Sequence, residues 1–352
     1  MSLQKTSPML PEAWRKLSTL SHSFEVEVSA PANIALIKYW GKKGHQLPAN
    51  PSLSLTLKQC LTRSTYSFRP ASSLEVRLFL DQVEKPSFAQ KIKVYLESLQ
   101  AELPVLETLD VTIHTHNTFP HSSGIASSAS SQAALGEALV RFFCQQTQTS
   151  FDAAQASNLS RLASGSACRS LYKGFVSWGE STALKEGSDL YATPVTSLVH
   201  PSLHGLRDAV CIVSSGEKEV SSRAGHSQMK DHPFLSARIA QAKANYQELL
   251  VALKVGDWKR VGEITEVVAL TLHAMMMTSN PGYILLAPKS LDVIRLVRAF
   301  RTSSGVPLYF TIDAGPNMHL LYLDEDHQKV ETFIKHELSS LLENVLWDRM
   351  DL

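Results

Sequence analysis

Cysteine is scarce: Cys60, Cys144, Cys168 and Cys211 are the only four in 352 residues, and no two form a CxxC pair. That spacing suggests neither a zinc ribbon nor a disulfide framework, and reduced thiols in a cytosolic, cytoplasmic protein are the simple reading. None of the thirteen histidines pairs at metal-ligand spacing. His114 and His116 share a strand face and His121 enters a loop, so no metal site built from protein side chains is expected. An excess of either charge is missing too: 34 Lys and Arg stand against 33 Asp and Glu. A nucleic-acid partner held mainly by charge is thereby excluded, whereas a small phosphorylated substrate needs only a local basic pocket. No apolar run approaches the ~20 residues that a membrane span requires, and the start of the chain shows no signal-peptide core, so no membrane partner is expected. Fixed-period repeats and low-complexity segments are absent. What remains is a globular composition, 44% hydrophobic and 19% charged, long enough for one large domain or two ordinary ones.

The most informative stretch is Pro120 to Gln132, PHSSGIASSASSQ. It follows an alternating run, Val111 to His116, and precedes an apolar periodic run through Ala134, Leu135, Ala138, Leu139 and Phe142. That order predicts strand, Ser/Gly-rich loop and helix. The first turn of a helix carries unpaired N–H groups and partial positive charge, and Gly124 with its serines lets an anion come close. A serine-rich helix cap without a ligand fits the local pattern equally. No Gly-Lys-Ser/Thr closes the loop, so it is not a Walker A motif.

Phe24 to Val28 alternates as a strand, Pro31 is expected to break its regularity, and Asn33 to Trp40 is mostly apolar with Lys38 embedded. A buried ammonium needs an anion or acceptor; a lysine reaching out from a strand edge is the alternative. Ser52 to Leu57 and Leu74 to Leu80 alternate as strands, and Phe88 to Leu99 suggests a surface helix. Ala163 to Ser170, ASGSACRS, is either an anion cradle around Arg169 or a tight junction between the helix ending at Leu162 and a strand in Leu171 to Trp178. Leu206 to Ser214 reads as a buried strand, followed by a polar loop with Lys218, Ser222 and Arg223. Helices are expected over Pro233–Val255, Trp258–Met277, Pro288–Arg301 and Val330–Leu346, and strands over Leu308–Ile312 and Met318–Leu323. Asp313 enters a Gly-Pro turn, where an Asx-turn role is the plain alternative to a site.

Five stretches, APANIALIKYWGK, NTFPHSSGIASSAS, SGSACRSLYKGF, VSSR and DAGPN, resemble the mevalonate diphosphate decarboxylases, in order and spacing over roughly residues 28 to 325. These belong with galactokinase, homoserine kinase, mevalonate kinase and phosphomevalonate kinase. The resemblance implies an α+β fold with an N-terminal domain like ribosomal protein S5, a ferredoxin-like C-terminal domain, and the active site in the cleft between them. The corresponding spans are a flexible extension over 1–23, a phosphate-loop domain over 24–204 and an α+β domain over 205–352. The implied reaction uses ATP and Mg²⁺ to convert 5-diphosphomevalonate to isopentenyl diphosphate, and the implied assembly is a homodimer.

The resemblance also implies residue roles. Asp313 orients or deprotonates the 3-hydroxyl, Lys38 polarises it, and Arg169 holds the substrate carboxylate. Asn33, Tyr39, Trp40, Gly41, Lys42, Ser164, Gly165, Ser166, Ala167, Cys168, Ser222 and Arg223 line the substrate. Ser122, Ser123, Gly124, Ala126, Ser127 and Ser128 carry the nucleotide phosphates. The chain departs from the family pattern at Ala163, Lys173, His121-Ser122-Ser123 and His226, the last where bacterial members often carry methionine. A further substrate-phosphate arginine expected near residues 87 to 93 has only Lys91 as a stand-in. A 5-phosphomevalonate decarboxylase, a mevalonate 3-kinase and a non-catalytic binding protein are the competing functions.

Overall fold

The computed structural model describes residues 10–20, 22–119, 127–216 and 222–350, without the side chains of 222–224. Its first part runs α1 (Glu12–Lys16), β1 (Phe24–Ile37), β2 (Lys42–Lys43), β3 (Leu47–Pro48), β4 (Ser52–Pro70), β5 (Glu75–Leu80), β6 (Val83–Glu84), α2 (Pro86–Glu97), β7 (Leu109–Asn117), α3 (Ser127–Thr147), α4 (Ala153–Ala163), β8 (Phe175–Trp178) and β9 (Ala192–Pro194). The second part runs β10 (Leu206–Ile212), α5 (Ser222–Gln228), α6 (Leu235–Val255), α7 (Trp258–Met277), α8 (Pro288–Ser304), β11 (Tyr309–Ile312), β12 (Met318–Leu323), α9 (His327–Phe333) and β13 (Asn344–Arg349). The first sheet has the order β6-β5-β7-β4-β8-β9 with β1 also on β4; the second has the order β11-β12-β10-β13.

Alternation makes the long strand β4, whose Tyr66 and Phe68 pack with Val111 and Ile113 of β7 under the small and aromatic face of α3, including Ala134, Ala138 and Phe142. Helices α3 and α4 approach so closely that a Cβ on Gly136 would lie 2.1 Å from Ser160 Oγ. A second core continues from Ile34, Leu36, Leu53 and Leu55 to Leu249, Leu253, Val261 and Ile264, so α6 and α7 pack on the first sheet. The sheets are also tied by polar contacts. Thr311 Oγ1 donates to the Ala35 carbonyl at 3.3 Å, and the Asp348 carboxylate accepts the N–H groups of Lys58, Gln59 and Cys60. No described helix is long and apolar enough to cross a membrane.

The irregularity expected at Pro31 is a register shift between Pro31 and Asn33 inside β1, which runs on to Ile37. Two expectations are corrected. The last expected helix stops early. After α9 the chain widens into a π turn over Ile334–Leu338, tightens to a 3₁₀ turn over Ser339–Leu341, and residues expected to finish the helix form β13 against β10. The partner strand lies far away in sequence, so the local apolar spacing could not reveal it.

The second correction concerns residues 10–20, which are packed rather than loose. Leu10, Trp14 and Leu20 are buried; Trp14 stacks on Phe143 with ring centroids 5.0 Å apart and donates from Nε1 to Thr149 Oγ1 at 3.1 Å. Trp14→Ala should lower unfolding stability by about 3–5 kcal/mol with kcat unchanged. Denaturant melts of the two proteins check this; equal midpoints would remove Trp14 from the core.

Candidate active site

Lys38 is the first residue after β1. Its side chain is 2% exposed, and Nζ lies 2.7 Å from Asp313 Oδ1, whose side chain is 29% exposed. The ammonium is therefore enclosed and the carboxylate keeps an open side. Asp313 directly follows β11. Its carbonyl accepts the Gly315 N–H at 2.8 Å and sits 3.1 Å from His273 Nε2, which pins the turn. Asn50 Nδ2 donates to the Lys38 carbonyl at 3.2 Å. Burial pushes the Lys38 pKa down; the Asp313 carboxylate beside it works against that fall, and Arg169 adds to it.

Arg169 lies in a 3₁₀ turn, Gly165–Leu171, and is buried. Its Nη1 donates to Ser52 Oγ at 2.5 Å and its Nε to Asn33 Oδ1 at 3.4 Å. Asn33 Nδ2 in turn donates to Ser170 Oγ at 2.7 Å and to the Ser166 carbonyl at 3.3 Å. Asn33 thus fixes the guanidinium and couples β1 to the turn. Burial lowers the Arg169 pKa, and the Asp313 charge is among the influences opposing the fall. Ser52 was visible only as a polar position in SLSLTL; its role as an arginine acceptor needs the β4–turn contact that sequence does not show.

Tyr39, Trp40 and Gly41 are buried just beyond Lys38, and Lys42 is exposed on the β2–β3 hairpin. Tyr39 lies over Gly165, where a Cβ would meet its hydroxyl at 2.7 Å. The Tyr39 hydroxyl and Trp40 Nε1 are buried without hydrogen-bond partners among the described residues. Ser164 and Ser166 are half-buried on the turn, whereas Ala167 and Cys168 are enclosed beneath it. The Cys168 thiol donates to the Gly165 carbonyl at 3.0 Å, and burial pushes its pKa up to about 12. It is a packing group, not a thiolate nucleophile. Arg161, which local pattern gave no reason to single out, is buried and clamps the hairpin by donating to the His45, Gln46 and Leu190 carbonyls.

Ser122, Ser123, Gly124, Ala126 and Lys218 lie outside the described residues, as do the side chains of Ser222 and Arg223. The backbone of Ser222 and Arg223 opens α5, and Ser127 and Ser128 open α3. One turn into α3, Ser130 Oγ lies 2.6 Å from Thr62 Oγ1, which donates to Asn117 Oδ1 at 2.7 Å. The helix start is therefore fastened to both β4 and β7.

Two mixed α/β halves, with a lysine from one meeting an aspartate from the other, define a two-domain α+β class of protein. Residues 30–192 match the diphosphomevalonate decarboxylase-like N-terminal domain, and residues 209–346 the mevalonate 5-diphosphate decarboxylase C-terminal domain. A diphosphomevalonate decarboxylase of Ganoderma lucidum is 33% identical, over 89% of this chain and 82% of its own. The mevalonate diphosphate decarboxylase of Enterococcus faecalis, solved in a study of ATP binding, is 28% identical at a TM-score of 0.80, covering 94% of this chain and 98% of that one. A further solved structure, of MDDEF with MVAPP, AMPPCP and magnesium, is 30% identical at a TM-score of 0.81 and covers 94% of this chain and 98% of that one. The chain belongs to the diphosphomevalonate decarboxylase family.

Proposed function

We propose that this chain converts 5-diphosphomevalonate and ATP to isopentenyl diphosphate, ADP, phosphate and carbon dioxide, with the 3-hydroxyl seated on the Lys38–Asp313 pair. The observation that carries this reading is the enclosed ammonium 2.7 Å from a carboxylate with an open side. Asp313 accepts the hydroxyl proton as the oxygen attacks the γ-phosphorus of ATP. Lys38 polarises that oxygen and holds Asp313 ionised. Hydroxide leaves a tertiary carbon poorly, and phosphate leaves it well. When the C3–O bond breaks, its electron pair departs with phosphate. The bond to the neighbouring carboxylate then supplies the electrons of the new alkene, and carbon dioxide leaves. Arg169, preset by Ser52 and Asn33, holds that carboxylate. The loop Ser122 to Ser128 and the start of α3 receive the ATP phosphates. Among the described residues no group of three His, Cys, Asp or Glu forms a metal cage. Mg²⁺ would enter with the nucleotide, whose phosphate charge it neutralises when bound.

Purified protein with ATP, Mg²⁺ and mevalonate, 5-phosphomevalonate or 5-diphosphomevalonate in turn tests the assignment through ADP and isopentenyl diphosphate. Preference for the monophosphate overturns the substrate. ADP without isopentenyl diphosphate identifies a 3-kinase, and no ADP from any of them ends the enzyme assignment. Arg169→Gln should lower kcat/KM for the diphosphate substrate ~100- to 1,000-fold while leaving the KM for ATP alone. A parallel rise in the ATP KM would place Arg169 elsewhere.

A further inference from the structure

Helix α5 brings His226 against the segment that follows Lys38. The imidazole centroid lies 4.5 Å from the Tyr39 ring and 4.5 Å from the Trp40 ring, so it is wedged between neighbouring side chains. Its Nδ1 accepts the Gly41 N–H at 3.1 Å. Gly41 has φ +94°, a left-handed conformation that a side chain would strain. Trp40 in turn closes over Gly225, where a Cβ would lie 2.7 Å from its ring and 2.7 Å from the Tyr283 hydroxyl. Tyr39 rests on Trp178 at 4.7 Å and on Gly165 of the Arg169 turn. A continuous series of contacts thus runs from α5 through His226 to the turn that carries Arg169.

The imidazole is suited to a fixed acceptor role. Because Nδ1 accepts, the proton of the neutral ring sits on Nε2. Burial, followed by the nearby Lys42 charge, holds its pKa down to about 3, so the ring stays neutral at working pH. On α5, Ser222 and Arg223 precede His226 by four and three residues, about one helical turn.

We propose that His226 is a positioning residue that sets the gap between the two sides of the diphosphate pocket, Tyr39 to Lys42 on one side and Ser222-Arg223 on the other. The inference rests on the substrate reading above. His226 touches no reacting atom. It fixes the Gly41 backbone and, through it, the distance between Lys42 and the first turn of α5. Its ring supplies the packing and its Nδ1 the register.

The variants His226→Phe, which keeps a ring without an acceptor, and His226→Asn, which keeps an acceptor near the Nδ1 position, separate those two functions. Steady-state kinetics should show His226→Phe raising the KM for 5-diphosphomevalonate about tenfold, the effect of one hydrogen bond, with kcat and the ATP KM within about twofold. His226→Asn should recover most of that loss. Calorimetric titration of inorganic diphosphate into wild type and His226→Phe reads the same weakening without turnover, so it stands even if the substrate assignment fails. Unchanged diphosphate affinity in a folded His226→Phe protein overturns the proposal, as does an equal loss in both variants. A fall in kcat with unaltered KM would equally overturn it.

Discussion

Asp313→Asn should reduce kcat at least ~1,000-fold while the KM for ATP stays near its wild-type value. The amide keeps the shape of the side chain, and the turn survives because Gly315 and His273 bind the Asp313 backbone carbonyl rather than the carboxylate. What disappears is a base at the hydroxyl and a negative charge 2.7 Å from Lys38. Loss of one well-placed electrostatic group typically reduces rate ~100- to 1,000-fold, and loss of the proton acceptor adds to it. The substitution also strands an ammonium that is 2% exposed. Removing one partner of a buried pair destabilises by about 3–5 kcal/mol, unless the remaining group sheds its charge. Single-turnover release of ADP and phosphate, with a thermal melt, measures both effects. Activity within tenfold of wild type would remove Asp313 from the mechanism.

The two ends of this pair show what the sequence could and could not reveal. Lys38 stood out locally because an ammonium in an apolar run demands a partner. Asp313 looked like an ordinary turn residue, and the two are 275 positions apart. Only the family resemblance joined them, and the β11–β1 contact through Thr311 and Ala35 supplies the physical reason they meet. Arg169 was ambiguous between an anion cradle and a tight junction. The structure shows the junction, a 3₁₀ turn in which Ser52 and Asn33 hold the guanidinium, and the anion it would grip belongs to the proposed function. Helices with strong periodicity, such as Trp258–Met277, were legible end to end. The strand β13 was not, because Val345 and Leu346 fit an apolar helix face as well as a strand, and the deciding contacts are its distant pairing with β10 and the Asp348 carboxylate held by three N–H groups of β4.

Lys38→Met should abolish activity to a similar degree yet leave the fold nearly intact. The asymmetry follows from exposure: Asp313 is 29% exposed and can be solvated when the ammonium is removed, whereas Lys38, 2% exposed, cannot be solvated when the carboxylate is removed in Asp313→Asn. Burial already lowers the Lys38 pKa below 10.5, so folding works against its charge. Between the folded pKa and 10.5 the unfolded chain binds the proton and the folded one does not, so stability rises with pH. Below the folded pKa both states are protonated, and the penalty of burying the charge is fully present. Methionine removes that penalty. Activity has the opposite slope, because the ammonium is the working form. The kcat/KM of wild type should therefore fall as pH rises through the depressed folded pKa, at lower pH than a solvated lysine would give. Lys38→Met should lose that basic limb together with ~100- to 1,000-fold of its rate. At pH 7 its melting temperature should lie above that of Asp313→Asn. The reverse order of melting temperatures, or a basic limb that persists without Lys38, would show that the buried ammonium does not govern this site.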